Sequence, residues 1–455
     1  MTTWYEEAIF YHMYPIGMTG VPRQNTQTEV TRHFDELEEW LPHIKEIGCN
    51  AIYIGPLFES NAHGYDTRDY KMVDRRLGDN DDFKHFVKTA HEMGIKIVVD
   101  GVFNHVGRDF WAFNDVKINR ERSVYCGWFK GLNFGWNNAY NDGFSYEAWH
   151  NCYELVNLNL PNEEVRRYLI NDVVNFWINE FDIDGIRLDC ADCLPDYFME
   201  ELRRFTDSKK PEFWLMGEVI HGDYNRYLIN NRLHSVTNYE MHKAFYSGHN
   251  DHNYFEIAHS CRREFEEHGG MYRDKLLYSF VDNHDVDRLM SKLREPRHIF
   301  PVYTLLYTIP GLPSIYYGSE WGMEGRKQGG NDDPLRPQVV LSEAINNNQN
   351  PELTRWITML AQIRKEQSPI LQKGVYRELR LTNRQYAFCR VYEGDAVVVA
   401  VNNDENSAEF DFTVPFPDKE YYNRVTKEKC SLENGRIRVT LEACGSIILT
   451  TKSEG

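Results

Sequence analysis

The chain has 455 residues, too many for one simple core, so two or three domains are expected, one of them a large α/β barrel. A formal net charge of −18 argues against nucleic acid and anionic membrane as partners, because both demand basic patches. With 42% hydrophobic and 14% aromatic residues the protein is globular, and its Tyr and Trp content suits flat, neutral, ring-shaped ligands.

The first residues, Met-Thr-Thr-Trp-Tyr-Glu-Glu, show no basic n-region and no apolar h-region, so no secretory signal is visible. No apolar run reaches the ~18 to 20 residues needed to cross a bilayer. The expectation is a soluble protein without membrane attachment, cytoplasmic if the chain begins at its native start. Residues 8–14 read as a strand closed by Pro15 and Gly17. Residues 31–47 carry apolar side chains at helical spacing (Phe34, Leu37, Leu41, Ile44, Ile47) and stop at Gly48. Strand 51–55, helix 82–93 and strand 95–99 follow, an alternation that predicts a parallel sheet covered on both faces.

After His105 the rhythm breaks. Residues 106–160 are rich in Gly, Asn, Trp and Tyr without a clear period, and read as a small inserted domain on the exit loop of the third strand. The alternation resumes with helix 163–181, strand 185–188, helix 197–205, strand 213–217, a helix around 224–230, strand 233–238, strand 276–281, helix 298–308 and strand 314–317. Eight strands predict a TIM (β/α)8 barrel with its active site at the strands' C-terminal ends. From about residue 373 the pattern changes to alternating strands (386–391, 396–401, 410–414, 437–441), predicting an all-β C-terminal domain. The expected divisions are 1–105 and 161–372 for the barrel, 106–160 for the insert and 373–455 for a C-terminal β-sandwich. Nine cysteines, an odd and scattered set, do not form a disulfide framework. Cys190 and Cys193 make a C-x-x-C, but no second pair stands at zinc-site spacing, so neither a metal nor a redox role is assigned to them.

The chemistry gathers where predicted strands end. Asp184 to Asp189 reads Asp-Gly-Ile-Arg-Leu-Asp, and since residues i and i+2 of a strand share a face, Arg187 and Asp189 point together beyond the strand end. Asp100, Asn104 and His105 leave the third strand, Glu218 the fifth, and His284 and Asp285 the seventh. Several carboxylates at one barrel mouth match what retaining glycoside hydrolysis requires: a nucleophile, an acid/base and a further stabilising carboxylate.

In these segments the chain resembles the α-amylase family of glycoside hydrolases. Asp-Gly-Val-Phe-Asn-His at 100–105, Gly-Ile-Arg-Leu-Asp at 185–189, Gly-Glu-Val at 217–219 and Phe-Val-Asp-Asn-His-Asp at 280–285 are similar to that family's four hallmark regions, in order. The resemblance implies Asp189 as nucleophile, Glu218 as acid/base and Asp285 as the third carboxylate. It further implies that Arg187 holds the nucleophile ionised, that Asp100, His105 and His284 belong to the substrate-binding set, and that Tyr65 stacks on the sugar. Asp333 and Arg336 resemble a pair that binds the sugar two places toward the non-reducing end. Glu218 must hold a proton, so its pKa should be raised, while Arg187 keeps Asp189 ionised. Two carboxyl groups ~5 to 5.5 Å apart would give retention.

Leu-Val-Asn-Leu-Asn at 155–159 and Glu-Val-Ile-His at 218–221 look like the neopullulanase, cyclomaltodextrinase and maltogenic amylase group, whose N-terminal β-module is missing here. Many α-amylases hold calcium near Asn104 with an aspartate of the fifth region and a carbonyl beside a Lys-His pair. Here those positions carry Asn157 and Asp192-Cys193, and calcium prefers hard anionic oxygens, so no metal or cofactor is expected. The expected function is a retaining hydrolase of α-1,4-glucosidic bonds in short soluble maltodextrins, with some transglycosylation. The alternatives are a 4-α-glucanotransferase, an exo-acting α-glucosidase, and an inactive carbohydrate-binding protein. Aromatics of the insert (Trp111, Trp128, Phe134, Trp136, Tyr140, Trp149) are expected to divide between its own core and a sugar-stacking wall.

Overall fold

The computed structural model describes residues 2–451. Eight parallel strands form its centre: β1 (Phe10–Met13), β2 (Ala51–Ile54), β3 (Lys96–Gly101), β4 (Gly185–Leu188), β5 (Trp214–Gly217), β6 (Ser235–Val236), β7 (Tyr278–Phe280) and β8 (Leu312–Tyr316). They pair in the order β6-β5-β4-β3-β2-β1-β8-β7. A parallel bridge between Thr237 and Tyr278 joins the two ends and closes the barrel.

The period of two sorts each strand. Phe10, Ala51, Tyr53, Val98, Trp214, Met216, Tyr278 and Leu312 fill the barrel interior. Their neighbours Ile9, Tyr11, Ile52, Ile54, Ile97, Val99, Ile186 and Leu215 pack outward under the helices. Trp214 stacks on Phe10 with ring centroids 4.9 Å apart. Gly185 is required opposite this ring, because a Cβ there would lie 2.5 Å from the Trp214 carbonyl oxygen.

The helix at Asn80–Glu92 illustrates the covering layer. The Asp79 side chain caps it by accepting from the N–H groups of Asp81 and Asp82, and Phe83, Phe86, Val87 and Ala90 form its buried face. Other helices differ from expectation. The helix expected over 31–47 is two pieces, Phe34–Glu38 and Trp40–Glu46, with Pro42 early in the second. The one expected over 163–181 carries a π-helical stretch, Tyr168–Val174, at its middle. Two helices between β6 and β7, Tyr239–Asn250 and Tyr254–Phe265, have no counterpart in the sequence reading. The buried face of the first includes His242, Gly248 and His249, which blurs its apolar period.

Between β3 and β4 the chain leaves the barrel. A two-stranded antiparallel pair, His105–Gly107 with Leu155–Asn157, forms the base of this excursion. Beyond β8 and the helices Pro351–Glu366 and Ser368–Lys373, the C-terminal region forms a six-stranded and a three-stranded sheet. Alternation sorts this region too: Tyr386, Phe388, Val397 and Val399 pack toward the barrel core. Ala387, Cys389, Val398 and Ala400 face Phe410, Phe412 and Ile437 of the smaller sheet. Among the described residues no helix is long and apolar enough to cross a membrane.

Candidate active site

Strand register brings the polar ends to one level. Asp100 of β3 lies beside Arg187 of β4, and Leu188 beside Gly217 of β5. The residues just past the strands are pinned by backbone bonds: Asp189 N–H donates to Gly101 O (3.1 Å) and Glu218 N–H to Leu188 O (2.9 Å). Alternation sends Arg187 toward the barrel axis, where its guanidinium lies over the Tyr53 ring (5.7 Å).

Arg187 is the hub. Its Nη1 donates to Asp100 Oδ1 (2.9 Å) and Oδ2 (3.1 Å) and to Asp189 Oδ1 (2.9 Å). Its Nη2 meets Glu218 Oε2 at 2.8 Å. Asp100 also accepts from the hydroxyls of Tyr53 (2.7 Å) and Tyr65 (3.1 Å). Glu218 Oε2 accepts from the Cys190 N–H (3.1 Å), while Oε1 accepts from the Tyr239 hydroxyl (3.2 Å). One guanidinium thus serves three carboxylates, all at most 8% exposed. A single positive charge cannot neutralise three buried negative ones, so one of them keeps a proton. Burial, opposed by Arg187 but reinforced by the charges of Asp189 and Asp285, pushes Glu218 up to about 8. Burial also raises Asp100, against the pull of Arg187.

A second cation serves the fourth acid. Arg336 Nη2 donates to Asp285 Oδ1 (2.8 Å) and its Nε to the His284 carbonyl (3.0 Å). His284 Nε2 lies 2.9 Å from Asp285 Oδ2 and meets the Tyr65 hydroxyl. Burial works against the charge of Asp285, but His284 and Arg336 hold it well below the usual carboxylate range. Tyr65 stacks on His284 at 5.6 Å, with Tyr14 at 5.5 Å from the same ring. Burial pushes His105 down to about 3, so it is neutral, and its Nε2 has no hydrogen-bond partner.

Tyr65, His105, Asp189, Glu218, Asp285 and Arg336 line a cavity of about 1430 Å3, and Asp100, Arg187 and His284 are bonded to that lining. The structure brings together Asp189, Glu218, Asp285, Tyr65, Asp100, His105, Arg187, His284 and Arg336. Asp333 lines the same cavity and pairs with Arg23 (2.9 Å) at the rim, both more than half exposed, while Arg336 also reaches Asp332 (3.3 Å). Of the six insert aromatics only Trp149 lines the cavity, its ring 5.6 Å from His105. Trp111 and Trp128 pack on each other (5.5 Å) and Phe134 on Phe144 (5.6 Å), while Trp136 and Tyr140 are exposed away from the cavity.

Tyr53, Tyr239, Asn283 and Cys190 were not singled out as site residues. Tyr239 was within reach of the strand-end rule, since it stands just past β6; Tyr53 was hidden inside an apolar strand. Asn283 ties the halves together: its Oδ1 accepts from the Asp285 N–H (2.8 Å) and its Nδ2 donates to the Tyr239 hydroxyl (3.2 Å). At the calcium-like position Asn104 Nδ2 faces Asn157 Oδ1 (3.5 Å), two neutral amides. One group of three metal-ligating types occurs among the described residues: donor atoms of His105, Asp189 and Cys190 lie within 4.8 Å of one another.

A closed (β/α)8 barrel with buried carboxylates converging on one guanidinium at its C-terminal mouth has the architecture of a barrel enzyme with a carboxylate-rich site. Residues 24–368 match the model of the alpha amylase catalytic domain, and residues 380–453 that of the alpha amylase C-terminal all-beta domain. The chain belongs to the alpha-amylase family of glycoside hydrolases. It is 32% identical to a cyclomaltodextrinase of Thermoanaerobacter pseudethanolicus over 80% of its own length, and spans 62% of that protein. Identity to a maltogenic alpha-amylase of Bacillus acidopullulyticus is 28%, over 95% of this chain and 75% of the relative. The debranching enzyme of Nostoc punctiforme superposes with a TM-score of 0.81 at 28% identity, covering 99% of this chain and 100% of that one.

Proposed function

We propose that this protein is a retaining hydrolase of α-1,4-glucosidic bonds in short soluble maltodextrins, with some transglycosylation, and that it works in the cytoplasm. The observation that carries the reading is the charge arrangement around Arg187: Asp189 faces the guanidinium, and Glu218 is pushed up to about 8, so it holds a proton at neutral pH. Glu218 gives that proton to the glycosidic oxygen as the C1–O bond breaks, and Asp189 attacks C1 to form a glycosyl-enzyme. Glu218, now ionised, takes a proton from water or from a sugar hydroxyl, whose oxygen displaces Asp189 and restores the anomeric configuration. Asp285, held ionised by His284 and Arg336, stabilises positive charge developing on the sugar ring. Asp100, His105 and His284 offer hydrogen-bonding groups to its hydroxyls, Tyr65 an aromatic face, and Arg336 and Asp333 mark the non-reducing side.

The substrate class rests on the names of the relatives and on Trp149 closing one side of the cavity. The compartment rests on nine cysteines, all free. Calcium is not required in this reading, since Asn104 and Asn157 offer neutral amide oxygens and no carboxylate where calcium prefers anionic ligands. A chelator should therefore leave the melting temperature unchanged, and a drop restored by calcium would overturn that part.

The test of the whole reading is a product profile on maltotriose, maltoheptaose, β-cyclodextrin, pullulan and insoluble starch. Rapid cleavage of maltoheptaose, with initial products of retained anomeric form by NMR, is expected. Release of sugars from granular starch at a comparable rate would defeat the short-substrate claim. Larger glucans accumulating from maltotriose as the main products would make the enzyme a transferase.

A further inference from the structure

The C-x-x-C left unassigned in the sequence lies against the nucleophile position. Cys190 adopts a left-handed backbone (φ 36°), and its Sγ lies 3.3 Å from Asp189 Oδ2. Cys193, one short helical turn on and exposed, lines the same cavity as Cys190. His105 arrives from the β3 exit loop, its ring 1% exposed and its Nε2 unpartnered. One donor atom from each of His105, Asp189 and Cys190 already lies within 4.8 Å of the other two.

We propose that His105, Asp189, Cys190 and Cys193 bind one thiophilic divalent cation, Zn2+ in particular, and that the ion reversibly shuts the enzyme off by occupying Asp189. One nitrogen, one carboxylate oxygen and two sulfurs form a four-donor set of the kind zinc takes, with the two thiols at C-x2-C spacing. Calcium and magnesium, which want oxygen ligands, are rejected by the same donors. The sequence shows no second cysteine pair, and the other two donors come from the β3 exit loop and from the residue just past β4. Three donors are assembled, and the exposed Cys193 completes the set by turning about its side-chain torsion. On binding, the two thiols release their protons to solvent and the sulfurs ligate as thiolates. A filled four-ligand shell has no open position for an activated water, so the ion blocks rather than catalyses. Sugar and metal need the same Asp189 and His105, so they exclude each other. The inhibitory half of the proposal rests on Asp189 being the nucleophile; the binding half does not.

The experiment uses the full chain, reduced with a non-chelating phosphine. Titration with Co2+ should give the absorption of a thiolate-to-cobalt charge transfer, saturating at one ion per chain and abolished by Zn2+. Cys193→Ser and Cys190→Ser should each weaken Co2+ binding by tenfold or more, with circular dichroism checking that both remain folded. The absence of the band, or a band of unchanged affinity in both variants, would overturn the site. In parallel, Zn2+ should raise KM for maltoheptaose without lowering kcat, with chelator restoring the rate and Ca2+ at equal concentration having no effect. A band that forms while hydrolysis is untouched by Zn2+ would overturn the inhibitory half alone.

Discussion

Asp184 and Asp189 stand at opposite ends of β4, five residues apart, and their surroundings differ in one respect: the number of cations per carboxylate. At the N-terminal end Asp184, 2% exposed in its side chain, meets His91 Nε2 (2.6 Å), Lys96 Nζ (2.9 Å) and Lys210 Nζ (3.2 Å). It also accepts from the Ile97 N–H (3.0 Å). Burial opposes its charge, but His91 and Lys210 hold it well below the usual carboxylate range. At the C-terminal end Arg187 is divided among Asp100, Asp189 and Glu218. A saturated acid anchors the strand; an undersupplied cluster keeps a labile proton and can react. The same strand thus carries a well-compensated acid at the barrel's floor and an undersupplied acid cluster at its mouth.

The largest expected effect breaks the mouth. Asp189→Asn and Glu218→Gln should each lower kcat on maltoheptaose by ~10³ or more, since each removes a bond-forming or proton-transfer step, while circular dichroism stays unchanged. Residual activity within about tenfold of wild type would take that residue out of its role.

The mirror experiment breaks the floor. Asp184→Asn should leave kcat within about twofold yet cost on the order of 2 kcal/mol in urea unfolding at pH 7, because a buried carboxylate that accepts several hydrogen bonds from partly exposed Lys96, Lys210 and His91 is lost. The folded pKa of Asp184 is depressed, so its contribution is present above the unfolded value near ~3.9 and is lost as pH falls through the folded one. The gap between wild type and variant should therefore shrink in acid; a gap that does not change with pH would point to lost packing rather than lost charge.

Glu218 should behave in the opposite sense. Its pKa is pushed up to about 8, so kcat/KM should fall as pH rises through that value and the acid loses its proton. A folded acid with a raised pKa destabilises the fold increasingly between its unfolded value, ~4.3, and its folded one. Glu218→Gln should therefore melt higher than wild type by a few degrees at pH 7 to 8 and not below pH 4, in scanning fluorimetry. A lower melting temperature at neutral pH would show that the carboxylate is adequately supplied with donors. The smallest effect belongs to Tyr239→Phe, which removes a hydroxyl donor from Glu218 Oε1. The basic limb of the pH profile should move up by ~0.5 unit, the size of a weak hydrogen bond, with KM little changed.

What the sequence by itself determined is direction within elements. A period of two placed Arg187 and Asp189 on one side of a strand end, and alternating apolar strands and helices required a barrel whose eight ends share one mouth. Of the ten anticipated site residues, Tyr65, His105, Asp189, Glu218, Asp285, Asp333 and Arg336 line one cavity, and Asp100, Arg187 and His284 are bonded to that lining. Boundaries and interruptions were not legible: the π stretch at Tyr168–Val174 and the polar-faced helix Tyr239–Asn250 depend on what each packs against. Partner choice was not legible either. That Arg336 holds Asp285, and that Trp111 packs on Trp128 rather than facing the cavity, is decided between residues brought together by the closed fold. The tertiary structure alone decides which carboxylate keeps the proton and that Cys190 lies beside both His105 and Asp189. The physical reason is that local periodicity follows from the geometry of a single backbone segment. Charge balance, desolvation and metal-like coordination depend on distances between segments more than 80 residues apart, such as Asp100 and Arg187.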